Sequence, residues 1–229
     1  MPLPSSPDTD AHRHFHDELH ELELHALGGI DLVLDLLDRS LAALEREDVG
    51  LAMSVVAEDE HLNRLYLDVH ERIVSLLACQ SPMAGDLRVV AALLHTSAYL
   101  ERMGNQCVSI AELVGPPGHE PAALRDIRTL LHRMGVIARL EVAQAGRAFV
   151  ERDLDLAEDL ARQDREVDEI ERELLRRLIE VDHDDASREW AMHMALVARA
   201  LERIGDNAVD VGEQTAFVVS GLFREFAGA

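Results

Sequence analysis

The sequence predicts an all-α fold, a tandem repeat of two antiparallel three-helix bundles with six helices, and three observations carry that prediction. Of 229 residues, 48% are hydrophobic but only 3% aromatic, a Leu-, Ala- and Val-rich balance that suits packed helices better than cross-strand pairing. Apolar residues recur every three or four positions over long stretches, the period of a helix face. Finally, LERMGNQCVSIAE at 100–112 returns in register as LERIGDNAVDVGE at 201–213, 101 residues later.

Residues 1–14 read as a disordered tail, and helical periodicity starts near Phe15. Leu27, Ile30, Leu34, Leu37, Leu41 and Leu44 give the first helix one apolar face. Asp48 is placed to N-cap a second helix running to about Cys79. Ser81 and Pro82 supply an N-cap and first-turn pair for a third, ending near Val114. GPPGHEP at 115–121 is the one Pro/Gly-dense stretch after the tail. It divides a first bundle, 15–114, from a second, 122–229.

The fourth helix runs from about Ala122 to Val150, and Asp153 caps a fifth as Asp48 caps the second. The acidic turn DHDDAS leads into a sixth, from about Ser187 to Phe223. Asp48, Leu51, Ala52 and Asp59 match Asp153, Leu156, Ala157 and Asp164 at an offset of 105 residues. Against the offset of 101 for the last helices, the connector in the second half is shorter by about one helical turn.

Charge and cysteine content exclude several functions. A formal net charge of −22, with no basic patch, repels the phosphates of DNA and RNA. Cys79 and Cys107 lack CxxC spacing and read as buried small hydrophobes. The N-terminus has no signal-peptide core, and no run approaches about 18 uninterrupted apolar residues, so a cytoplasmic chain without membrane insertion is expected. Gly-rich phosphate loops and nucleophile signatures are absent, which argues against an enzyme.

The chemistry-bearing pattern is a ladder of carboxylates. Glu202, Asp206 and Asp210 stand four residues apart, as do Asp164 and Asp168 on the preceding helix. Such spacing stacks them on one face, where they repel unless something positive lies there. The first half carries the matching set Asp59, Asn63, Glu101 and Asn105. Antiparallel neighbours could converge each set on one point, and all-oxygen donors suit Mg²⁺, Ca²⁺, Mn²⁺ or iron. A solvated acidic surface is the alternative. Gly104 and Gly205, inside helices beside the ladders, cost about 1 kcal/mol each relative to Ala and suggest close helix approach, which a purely structural contact also explains. Carboxylate ligands further predict that affinity weakens toward pH values of about 4.

SPMAGDLRVVAALL followed by LERMGN, and RALERIGDNAVDVGE after an Asp-rich fifth helix, resemble the PhoU family of phosphate-transport accessory and regulatory proteins. The resemblance spans about Phe15 to Phe223. It implies a PhoU-like pair of three-helix bundles and a regulatory role. It also implies divalent or trivalent metal ions (iron, zinc, manganese or magnesium) at Asp164, Asp168, Glu202, Asp206 and Asp210, and at Asp59, Asn63, Glu101 and Asn105. The partners it implies are the ATPase subunit of a phosphate-specific ABC transporter, a phosphate-sensing histidine kinase and a second copy of the chain. Asn63 and Asn105 depart from the family's acidic pattern, leaving Asp59 and Glu101 as the charged ligands of the first set.

Two other readings compete. Glu58 with His61, and Glu180 with His183, match the ExxH spacing of di-iron carboxylate oxidoreductases, but they are 122 residues apart rather than the 105 of the repeat. The histidines at 12, 14, 16, 20 and 25 have mixed spacing and read as surface residues. A metal-free helical scaffold is the third possibility.

Overall fold

The computed structural model describes residues 7–79, 83–115, 125–180 and 185–226, without the side chains of residues 7–13, Asp59 and Arg125. Helices account for almost all of them: α1 (Pro7–Arg46), α2 (Val49–Val56), α3 (Asp59–Cys79), α4 (Ala84–Glu112), α5 (Arg125–Glu151), α6 (Leu154–Ile179) and α7 (Asp185–Ser220). The six-helix plan holds, with the second helix broken at Ala57 and Glu58. Val55 and Val56 are weak helix formers at the break, and the acidic run of Glu58, Asp59 and Glu60 favours starting a new helix there.

Residues 7–14, expected within a disordered tail, are part of helix α1 (Pro7–Arg46). The expected Ser81 cap and most of the 115–121 linker lie outside the described residues. Met83 occupies the N-cap position of α4 without a side-chain hydrogen bond.

The repeat is visible in the backbone. Glu47 (φ 51°) and Arg152 (φ 57°) end α1 and α5 in the left-handed region. Asp48 and Asp153 then donate their N–H groups to Ala43 and Ala148 at 2.9 and 3.0 Å. The same two aspartates accept from the N–H groups of Leu51 and Leu156 at 2.9 and 3.0 Å, starting α2 and α6. Caps of this kind are worth about 1 kcal/mol each. At the other end of the chain Gly221 (φ 74°) stops α7, its N–H donating to Phe217 O at 2.8 Å.

Helices α1, α2–α3 and α4 form one bundle and α5, α6 and α7 the other, joined through α1 against α5 and α4 against α7. Helices α1 and α5 are antiparallel and clamped at both ends. Arg128 donates to Glu47 at 2.6 Å and Arg152 donates to Glu23 at 2.6 Å. Gly135 and Gly146 let Leu41 and Ile30 approach between the clamps. The halves share one continuous core, with Leu37, Leu93, Leu100, Met103, Phe149, Leu160 and Leu201 among its largest enclosed side chains. Cys107 is buried as expected, and burial pushes its thiol up from the ordinary range. Cys79 is exposed, because it falls on the solvent side of the last turn of α3.

Among the described residues no helix is long and apolar enough to cross a membrane. His14 and His25 pair with Glu18 and Asp68 at 3.2 and 2.8 Å on accessible surface, consistent with surface roles. His61 meets Glu58 at an exposed turn, while His183 lies outside the described residues.

Candidate metal centre

In the second bundle the acidic ladders are drawn inward. Asp164 and Glu202 are only 1% and 7% exposed, and Asp168 and Asp206 are half-buried beside them. These positions fall where the α6 and α7 stripes meet. Val167, Ile170 and Leu174 on α6, with Val197, Leu201 and Ile204 on α7, bury the apolar side of the same turns. One carboxylate oxygen each from Asp168, Glu171 and Glu202 lies within 4.8 Å of the others. Oxygens bound to one hard cation at 2.0–2.6 Å can stand up to about 5 Å apart, so this group fits such an ion.

Two further carboxylates enter from places the ladder pattern does not mark. Glu171, one turn beyond Asp168, belongs to the group of three. Glu141, on α5, is fully enclosed. A Cβ on Gly205 would stand 2.7 Å from Asp164 Oδ1 and 2.8 Å from Glu141 Oε2. The glycine therefore leaves a space bounded by two buried carboxylates from two other helices. Among the described residues, both Glu141 oxygens, Asp164 Oδ1 and Glu202 Oε2 have no hydrogen-bond partner. Glu141 was detectable as the single acid interrupting an apolar stripe of Met134, Ala138, Val142, Ala145 and Phe149.

Electrostatics follow from that crowding. Burial, reinforced by Asp164 and Asp206, pushes the Glu141 carboxyl up to about 9. Burial, then Asp206, Asp168 and Glu202, pushes Asp164 up to about 7. Glu202 is raised to about 7 by burial and Asp206, although Arg199 pulls the other way. Asp206 is raised by burial and Asp168. Protons should therefore compete with a cation well above the value of about 4 expected from unperturbed side chains.

Cations of the protein already sit at the rim. Arg199 contacts Glu202 and lies 3.7 Å from Glu171, and Arg172 pairs with Asp168 at 3.2 Å. These arginines offset part of the repulsion on the solvent side and leave the inner oxygens unmatched. Asp210, placed in the ladder by spacing, lies one turn on. Its carboxyl is pushed up to about 6 by burial, Glu213 and Asp206, with Arg102 of α4 opposing. It stands near Arg102 and Tyr99 of α4, and like Asp164, Asp206 and Glu141 it is not one of the group of three.

The first bundle is built differently. Glu101 is half-buried and accepts a 2.8 Å hydrogen bond from Asn105, while Asn63 and Asn105 are exposed. The side chain of Asp59 lies outside the described residues. By the 105-residue offset, Glu141 corresponds to Leu36, a buried core residue. A Cβ on Gly104 would collide with Leu62, not with acids. Helix approach thus explains Gly104, whereas Gly205 opens onto carboxylates.

Fold and site together define a repeat-built helical bundle with an enclosed acidic centre in one half. The PhoU domain model matches residues 30–114 and 131–215, and the chain belongs to the PhoU family. It is similar to the phosphate-specific transport system accessory protein PhoU homolog 1 of Thermotoga maritima, 30% identical over 94% of this chain and 93% of the relative. The phosphate-specific transport system accessory protein PhoU homolog of Pseudomonas putida is 31% identical over 90% of this chain and 81% of its own. The crystal structure of the phosphate transport system regulatory protein PhoU from Streptococcus pneumoniae superposes with a TM-score of 0.85 at 27% identity, covering 92% of this chain and 99% of that one.

Proposed function

We propose that this protein regulates phosphate uptake and phosphate-starvation signalling by binding other proteins, as a negative regulator when phosphate is plentiful. The observation that carries the reading is the near full-length similarity, through both repeats, to phosphate-specific transport accessory proteins. Its partners are the ATPase subunit of the phosphate ABC transporter and a phosphate-sensing histidine kinase, reached from the cytoplasmic side. A homodimer belongs to the same proposal, supported by Leu67, Val74 and Leu77, which leave an apolar strip of α3 exposed. Deleting the gene should leave phosphate-starvation genes switched on in phosphate-rich medium. Transcript levels unchanged from the parent strain would overturn the reading.

In this proposal the acidic centre binds a divalent cation such as Mn²⁺ or Mg²⁺ and fixes the angle between α6 and α7. When bound, the ion supplies the positive charge that the inner carboxylates lack, and so favours the folded, docking-competent arrangement. Gly205→Ala is expected to push a methyl group between Asp164 and Glu141 and weaken Mn²⁺ binding by roughly tenfold or more. Gly104→Ala, which meets only Leu62, should leave affinity unchanged. Calorimetric titration of both variants checks this, and equal affinities would remove the space beside Gly205 from the site.

An oxidoreductase reading requires histidine ligands from the ExxH pairs. His61 stands at an exposed turn on α3, in the other bundle from the acidic centre. The regulatory reading is therefore preferred, and oxygen consumption after iron loading would reverse that preference.

A further inference from the structure

We propose that Glu141 is a cation ligand contributed by α5, so that an ion in the second half joins all three helices of its bundle. The proposal rests on the metal-binding part of the function above and adds a residue outside the acidic ladders of α6 and α7. Three observations support it.

First, Glu141 is fully enclosed and neither of its carboxylate oxygens has a hydrogen-bond partner among the described residues. A buried carboxylate is costly unless a cation or a set of donors compensates it. The nearby arginines are engaged elsewhere: Arg199 with Glu202 and Glu171, Arg172 with Asp168, and Arg133 with Glu166 at 2.5 Å.

Second, Glu141 Oε2 and Asp164 Oδ1 lie within 3 Å of one point, the position a Gly205 Cβ would fill. Any larger residue would occupy the space between these oxygens, and glycine there carries a helix cost of about 1 kcal/mol. Third, the other repeat shows how the same framework is built without such a group. Leu36 stands where Glu141 does, and Leu62 fills the space beside Gly104. An apolar side chain is therefore compatible with this position of the fold, and packing does not require the glutamate.

The competing account is a neutral Glu141 that shares its proton with Asp164 and binds nothing. Burial, which pushes the Glu141 carboxyl up to about 9, is compatible with that resting state. Glu141→Gln and Glu141→Leu separate the two accounts, because Gln keeps the size and a neutral hydrogen-bonding group while Leu copies the first repeat.

The experiment uses full-length protein without a histidine tag, stripped with chelator and titrated with Mn²⁺ alone. Hydrogen exchange in α5 is followed in parallel. Both variants should fold, bind Mn²⁺ roughly tenfold or more weakly than wild type, and lose the Mn²⁺-induced protection of amides around 138–145. Wild-type affinity and α5 protection in Glu141→Gln would overturn the assignment while leaving the ladder site intact. A wild-type protein that binds no Mn²⁺ would overturn the metal-binding reading itself, and the role of Glu141 with it.

Discussion

Replacing Asp164, Asp168 and Asp206 by Asn and Glu202 by Gln is expected to abolish the metal-dependent rise in melting temperature without lowering the melting temperature of the metal-free protein. Stabilisation by a ligand needs binding to the folded state, and reaches about 4 kcal/mol at a thousandfold excess over the dissociation constant. For a chain of this size, 1 kcal/mol corresponds to roughly 2–4 °C, so the wild-type rise should be on the order of 10 °C. The variant removes four of the acids on α6 and α7, including two of the group of three. Glu171, already beside Arg199, and Glu141 on α5 remain, too few to hold an ion by themselves.

The same substitutions relieve the metal-free protein of mutual repulsion, since Asp164, Glu202 and Asp206 each raise or are raised by their neighbours. Loss of Asp168 and Glu202 leaves Arg172 and Arg199 without one partner each, but both guanidiniums are exposed to water and Arg199 keeps Glu171. Scanning calorimetry with and without Mn²⁺ decides the matter. An equal metal-dependent rise in variant and wild type would remove these four residues from any metal site.

Opposite pH trends are expected for the metal-free protein and for metal binding. Asp164 and Glu202 ionise near 7 and Glu141 near 9 in the fold, each above its unfolded value. Between about pH 4 and these values the folded state holds more protons than the unfolded state, so the stability from these groups falls as pH rises. That contribution is fully present below about 4 and lost through about 7 to 9. Asp159 and Glu173, held low chiefly by hydrogen bonds from Arg162 and Arg177, act in the other direction only at lower pH. Chelated protein should therefore melt higher at pH 5.5 than at pH 8.5.

Metal binding runs the other way, because each ligand must give up its proton. Affinity should climb by up to about tenfold per pH unit for each proton displaced. The Mn²⁺-dependent rise in melting temperature should be small at pH 5.5 and large at pH 8.5. Affinity that is flat across this interval would mean that the inner, raised carboxylates take no part.

What the sequence alone determined is the part of this protein written in local spacing. Leu27, Ile30, Leu34 and Leu37 specify one face of α1 whatever lies opposite, and Asp48 and Asp153 cap α2 and α6 through N–H groups three residues away. The duplication was legible because both halves use those local devices at a constant offset. So was the acidic ladder on α6 and α7, since i, i+4 spacing places residues on one face regardless of partners.

Tertiary structure decided which acids meet. Glu141 reaches Asp164 and Gly205 only because α5 packs on both α6 and α7, and no local rule links a residue to helices that follow it. Packing also decided that Gly205 opens onto carboxylates while Gly104 is filled by Leu62, although the two share the same local motif. The long-range contact, not the helix period, sets how deeply each carboxylate is removed from water. That depth raises Asp164 and Glu141 far above ordinary acids and separates an enclosed acidic centre from a charged helix face.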